Sequence, residues 1–210
     1  MYTIFVNEKP FIITDDWDYL INDTTYLHHY NDDIETIRKI SKDFLNDTKS
    51  KGLVLHASNS IKAFEIFCKD YDVIEAAGGV LENELHQILM IYRKGRWDLP
   101  KGKIEEGEDI RAGAIRELKE EMNLDITIKD ELGVNEYTAN DPDVKGGKKR
   151  KRVTYFLAES PFTDLKLGPS GGLDDAQWFP LSQVGSLNFY DDTLKIIIPA
   201  INILAQKGRA

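Results

Sequence analysis

A single cysteine, Cys68, occurs in the 210 residues, so no disulfide can form within the chain and a disulfide scaffold is excluded. One thiol without a partner suits a reducing compartment, and the expected location is the cytoplasm. Cys68 lies in the helix-like stretch Ile61 to Asp70, where a small buried hydrophobe is the expected role. Long apolar runs are missing too. The longest candidate, Ile196 to Leu204, falls short of the roughly 20 residues that a membrane span needs, and it contains Pro199. Met1 to Val6 is apolar but gives way to Asn7-Glu8-Lys9, without the basic start and apolar run of a signal peptide. No membrane association is expected. A basic excess is also lacking. The net charge is −9, the wrong sign for a protein that tracks a nucleic-acid backbone, so nucleic acid is not an expected partner. An acidic protein that handles phosphorylated ligands needs a local basic patch or a bound cation.

What is present supports a packed core. Hydrophobic residues make up 41% and charged residues 30%, near the values of soluble globular proteins, which argues against disorder. The length allows one large domain, or one ordinary domain with a small companion.

The periodicities divide the chain near Asp70, into residues 1–70 and 71–210. Met1 to Val6 and Phe11 to Thr14 read as a hairpin around Asn7-Glu8-Lys9-Pro10. Asp32 to Asn46 reads as a helix with Ile34, Ile37, Ile40 and Phe44 on one stripe. Gly52 to His56 is a short apolar strand, followed by a helix that Ser58 or Asn59 would cap. These residues form a small α/β segment to which the sequence assigns no role. From Val73 strand-like segments follow one another: Val73 to Leu81, Gln87 to Tyr92 and Trp97 to Leu99. A charged helix, Asp109 to Met122, comes next. Ile126 to Leu132, Val134 to Thr138, Val153 to Glu159 and Ala176 to Leu181 read as later strands. A last helix from about Asp191 to Gln206 must be kinked or broken at Pro199.

The charged helix is the informative part. Glu117, Glu120 and Glu121 are related by three and four positions and so share a face, while Ile115, Leu118 and Met122 face a core. Two carboxylates about 4 Å apart repel by roughly 1 kcal/mol in water and by about 4 kcal/mol at an effective dielectric near 20. Helix stability does not require this clustering. A hard divalent cation removes the repulsion, and Mg²⁺ favours carboxylate oxygens together with waters and substrate phosphates. A solvated glutamate-rich face would explain a lone Glu-Glu pair, but it leaves Gly102, Glu108, Arg116, Leu118 and Leu124 at fixed offsets unexplained.

Those offsets resemble the Nudix box, matched here at Gly102, Glu108, Arg116, Glu117, Leu118, Glu120, Glu121 and Leu124. Eight such matches arise by chance on the order of one time in a million. Asn123 stands where the family has Gly; the position follows a helix end, where Asn is the next most tolerant residue of a left-handed conformation. Ala77-Gly78-Gly79-Val80 resembles the opening strands of the family. Trp97-Asp-Leu-Pro100-Lys101-Gly102-Lys103 is similar to the lead-in of the dinucleoside polyphosphate and MutT-like branch. Val153 to Glu159 and Trp178-Phe-Pro-Leu181 look like its later strands.

The resemblance implies an α/β fold, the Nudix α/β/α sandwich with a mixed sheet. It implies a hydrolase that splits a phosphoanhydride bond of a small nucleoside, dinucleoside or diphosphoinositol polyphosphate by metal-activated water. By the same resemblance Glu120 and Glu121 hold Mg²⁺ or Mn²⁺. Glu117 is a further ligand or the base, the carbonyl of Gly102 joins the ligands, and Arg116 pairs with a glutamate of the site. Glu108 is expected to be structural, near the helix start. Asp174 and Asp175 are candidates for a further acid, with Asp175 as a possible ligand, and a solvated loop explains them equally well. The basic run Lys148-Lys149-Arg150-Lys151-Arg152 follows Gly146-Gly147 and reads by default as a solvated loop, with Lys151 and Arg152 as candidates for gripping phosphates beside Lys101 and Lys103. Tyr155 is either a stacking partner for a base or a core strand residue. A homodimer is expected, since dimers are common in the family. The competing reading is a non-catalytic Nudix-fold nucleotide sensor or regulator; the intact acidic positions and the absence of a basic recognition helix speak against it.

Overall fold

A computed structural model of the chain describes residues 1–140, 148–161, 165 and 173–207. The chain divides into two compact units: Met1–Val73 with Glu136–Lys151, and Ile74–Asn135 with Arg152–Ala210.

The first unit opens with β1 (Tyr2–Val6) and β2 (Lys9–Thr14), an antiparallel hairpin in register from Tyr2↔Ile13 to Val6↔Lys9. Asn7 and Glu8 both have positive φ, 51° and 67°, as a two-residue hairpin turn requires when its twist matches that of the strands. Then come β3 (Tyr26–Tyr30), α1 (Ile34–Asn46), β4 (Gly52–His56) and α2 (Ser60–Cys68). β4 lies between β2 and β3 and runs parallel to both, so α1 is a parallel crossover. β4 has strands on both edges and all five of its residues are buried, with Leu53 and Leu55 in one core with Ile37 and Phe44 of α1 and Phe67 of α2. Asp33 caps α1 by accepting the Thr36 N–H at 2.9 Å. Ile37, Ile40 and Phe44 pack on Phe11, Leu53 and Phe67. Ile34, expected on the same stripe, sits in the first turn and is exposed.

The second unit contains β5 (Val73–Asn83), β6 (Gln87–Arg93), β7 (Arg96–Asp98), β8 (Lys101–Lys103) and α3 (Ile110–Met122). It continues with β9 (Thr127–Asn140), β10 (Lys148–Ser160), β11 (Asp175–Pro180), α4 (Leu181–Val184) and α5 (Asp191–Lys207). The strand order is β11-β6-β5-β10-β9, with β7 paired to β6 and β8 to β5. β9 and β10 give residues to both units; within the first, Tyr137 of β9 pairs in parallel with Phe5. One strand thus spans the segments Ile126 to Leu132 and Val134 to Thr138, which were expected to be two. The basic run forms the start of β10 and is not a loop; Gly146 and Gly147 lie outside the described residues.

α3 lays Leu118 and Met122 on Leu81, Leu89, Ile91 and Ala158. Each such burial stabilises by about 1.5–3 kcal/mol. Ile115, expected on this face, is 37% exposed, and Ala114 takes its place. α5 buries Thr193, Ile196, Ile197, Ala200 and Leu204 and continues through Pro199, which lies on its exposed side. No helix among the described residues is long and apolar enough to cross a membrane.

Candidate active site

The site is built on α3 and on the strand that precedes it. Asp109 starts α3 by accepting the N–H groups of Arg111 and Ala112, both at 3.0 Å. Asn123 ends it in the left-handed conformation, φ 51° and ψ 40°, with its N–H on the Lys119 carbonyl. The helix packs tightly on what comes before it. A Cβ at Gly113 would meet Ile104 and lie 2.8 Å from Glu108 Oε2. A Cβ at Gly102 would fall on the Glu117 carboxylate. A larger residue at either position would displace these side chains from where they stand.

Arg116 organises the carboxylates. Its Nε and Nη2 donate to the two oxygens of Glu108 at 2.7 and 2.8 Å. Nη1 donates to Glu117 Oε1 at 2.8 Å and to Glu120 Oε2 at 3.4 Å, and Nη2 also reaches the Lys103 carbonyl at 3.1 Å. These contacts use all five N–H donors of a guanidinium. Arg116 therefore has no donor to spare for a phosphate and acts by positioning. The Arg116 hydrogen bonds, with the Glu105 N–H, hold the Glu108 carboxyl down at about 2. Glu108 in turn raises Arg116, and burial opposes this.

Of the three box acids, Glu120 is exposed, Glu117 half-buried and Glu121 buried at 8% exposure, at the edge of the face that packs on the sheet. Glu117 Oε1 is held by Arg116 while Oε2 lies against Gly102. One guanidinium thus faces the carboxylates of Glu108, Glu117 and Glu120 and leaves two negative charges uncompensated. The donors are all hard oxygens, which is what Mg²⁺ takes. Among the described residues no three acidic side chains yet converge on one point. The set fits a hard divalent cation by donor type and charge, with Glu120 turning away from its long contact to Arg116.

Lys103 and Arg152 are exposed, the latter 3.9 Å from Glu75, which neighbours the β5 partner of Lys103. Lys151, half-buried, belongs to the first unit, as does Arg150, which is used internally by Glu136 at 2.5 Å. Two expected ligands of the substrate are corrected. Lys101 is 5% exposed and donates to Asp98 Oδ2 at 2.5 Å and to the Leu99 carbonyl at 3.1 Å, so it cannot reach a phosphate. Tyr155 is fully buried in the sheet core and has no open face for a base. Asp174 accepts the Lys94 N–H at 3.0 Å, and Asp175 accepts from Ala176 N–H and Gln177 Nε2, which ties both to the β6–β7 turn and to β11 itself.

A further cluster, absent from the sequence-based expectations, joins the end of β7, the start of β8 and the first turn of α5. Asp98 accepts from Lys101, from the Leu99 N–H at 2.8 Å and from the Thr193 hydroxyl at 2.9 Å. Burial opposes ionisation of Asp98, but the charge and hydrogen bond of Lys101 outweigh it and hold the carboxyl below the usual range. Asp192, beside it, is pushed up by burial and by the Asp98 charge. The only trace in sequence is the opposite charges of Asp98 and Lys101 three positions apart.

A family model described as the NUDIX domain matches residues 73–199. The chain belongs to the Nudix family. An ADP-ribose pyrophosphatase of Methanocaldococcus jannaschii is 33% identical over 127 residues, which is 58% of this chain and 69% of that protein. An 8-oxo-(d)GTP phosphatase of Mycolicibacterium smegmatis is 32% identical over 143 residues, 61% of this chain but only 42% of that protein. The solved structure of a Caenorhabditis elegans Ap4A hydrolase binary complex aligns with a TM-score of 0.50 at 26% identity, over 63% of this chain and 98% of that one. The Nudix member described here has the expected α/β fold and is a hydrolase acting on phosphoanhydride bonds.

Proposed function

We propose that this Nudix hydrolase is a pyrophosphohydrolase dependent on Mg²⁺, with Mn²⁺ as a substitute, whose substrates are nucleoside or dinucleoside polyphosphates. The observation that carries the reading is the Arg116 cluster: three carboxylates set around one saturated cation, with Gly102 pressed on one of them. Relatives named for ADP-ribose, 8-oxo-(d)GTP and a bis(5′-nucleosyl) tetraphosphate support a nucleoside phosphoanhydride as the shared chemistry.

A divalent cation on these oxygens would neutralise phosphate charge and make a bound water more acidic. Gly102 through its carbonyl, with Glu117, Glu120 and Glu121, would hold it. The chain itself supplies orientation. Arg116 fixes Glu117 through Oε1, so that Oε2 is presented toward Gly102 as a ligand atom or as the acceptor of the water proton. Lys103 and Arg152, both exposed, are the cations proposed for outer phosphates of the substrate.

The test is product formation from diadenosine polyphosphates, nucleoside triphosphates, ADP-ribose and a diphosphoinositol polyphosphate, each with Mg²⁺ and with chelator. Metal-dependent cleavage of a nucleoside or dinucleoside polyphosphate is expected. Cleavage undiminished by chelator would overturn the metal, and turnover of ADP-ribose alone would overturn the substrate class.

A further inference from the structure

We infer that Asp98, Lys101 and Thr193 form a positioning unit that holds Gly102 against Glu117, and that Lys101 serves the reaction through the backbone and not as a phosphate ligand. The inference rests on the metal-dependent reading above.

The chain from Asp98 to Gly102 is fixed at almost every residue. The Asp98 carboxylate receives the Leu99 N–H, the Lys101 ammonium and the Thr193 hydroxyl. Lys101 returns to the Leu99 carbonyl, closing a ring over residues 98 to 101. The Pro100 carbonyl accepts the Gly79 N–H at 3.2 Å. Lys101 and Gly102 then pair with Gly78 and Ala77 of β5. That approach is so close that a Cβ at Gly78 would strike Pro100 and Lys101.

All three side chains are buried: Asp98 at 4%, Lys101 at 5% and Thr193 at 1% exposure. A lysine placed to bind substrate keeps its ammonium in solvent or in an open cleft. Here the ammonium donates to a carboxylate and a carbonyl, and pulling it out would leave the buried Asp98 with only the more distant Arg93, 3.6 Å away, to offset its charge. Thr193 stands in the first turn of α5, so the unit ties that helix to the backbone on which Gly102 is carried. Gly102 is the next residue along, and it lies so near Glu117 that a Cβ there would fall on the Glu117 carboxylate. A shift of the Asp98–Gly102 segment therefore moves the Gly102 carbonyl relative to Glu117, the pair proposed to hold the cation. Supporting contacts of this kind change metal affinity and turnover, whereas a phosphate ligand changes substrate affinity.

The test compares wild type with T193V, T193S and K101M. Mn²⁺ binding without substrate is read from the paramagnetic resonance of the unbound ion, kcat and KM are measured separately, and circular dichroism checks folding. T193V removes the donor at nearly constant shape. It is expected to weaken Mn²⁺ binding and to lower kcat by about 10-fold each, with KM within about twofold of wild type and both losses recovered in T193S. K101M follows the same pattern if it folds, and T193V carries the test if it does not. Wild-type Mn²⁺ affinity and kcat in T193V, or a K101M that raises KM alone, would overturn the inference. A wild-type protein that binds no Mn²⁺ would overturn the metal reading itself, a result distinct from equal binding by wild type and T193V.

Discussion

Arg116 grips Glu108 through two parallel hydrogen bonds, Nε to Oε1 at 2.7 Å and Nη2 to Oε2 at 2.8 Å, across eight positions of sequence. Glu108 precedes the α3 cap and Arg116 lies in the middle of the helix, so the pair clamps the loop onto α3 while the remaining guanidinium nitrogen holds Glu117 and Glu120.

Arg116→Lys tests that clamp. An ammonium cannot form the fork, and it cannot serve Glu108, Glu117 and Lys103 at once. A fall in kcat of about 10-fold or more is expected, with a melting temperature lower by about 2–4 °C. Steady-state kinetics and thermal unfolding read the two effects; wild-type kcat in this variant would remove Arg116 from the site's organisation.

Acid should dissolve the same contact. The ordinary glutamate value is 4.5, and Arg116 holds the folded Glu108 carboxyl at about 2. A carboxyl that titrates lower when folded stabilises the fold fully above pH 4.5, and that contribution is lost as pH falls toward about 2. Between these limits the stability of wild type should decline more steeply than that of Glu108→Gln. Denaturant titrations at stepped pH would show it, and parallel slopes would refute it.

Gly102→Ala places a methyl group on the Glu117 carboxylate. Loss of about 100-fold in kcat is expected, with β8 and α3 still formed, because Glu117 can swing into solvent but not while keeping its site geometry. Amide NMR of α3 beside the kinetics separates a misplaced Glu117 from an unfolded helix.

At the end of α3, Asn123 holds φ 51°. Asn123→Gly should stabilise by about 0.5–1 kcal/mol and Asn123→Ala destabilise by about 1 kcal/mol, since alanine has no local hydrogen bond to favour the left-handed region. Neither change should alter kcat. Chemical denaturation reads the order Gly above Asn above Ala, and any other order contradicts the cap.

What was legible in the sequence follows from how local each signal is. The box could be read because its residues lie on one helix and one lead-in, so fixed offsets become fixed positions. β4 was readable as five buried residues, Gly52 to His56, in an apolar run. β3 was not: Tyr26-Leu-His-His-Tyr30 is an edge strand of half-buried and exposed residues, and it offers no clean alternation. Ile115 looked like a core residue because it is apolar at the right spacing, but the buried stripe runs one position earlier, through Ala114, Leu118 and Met122. Lys101 looked available because sequence displays charge and not burial. Its partner Asp98 is local, but Thr193, which completes the cluster, comes from α5 far along the chain. Tyr155 lies on β10, an inner strand of the sheet, and is fully buried, which the aromatic ring alone could not reveal.

The passage of β9 and β10 through both units has a practical consequence for anyone who would take the protein apart. Tyr137, which pairs with Phe5 of the first unit, is encoded inside the span matched by the Nudix family. Trimming the chain at Val73 would carry away β1 and leave Tyr137 unpaired on the side away from β10. No single cut of the backbone releases either unit whole.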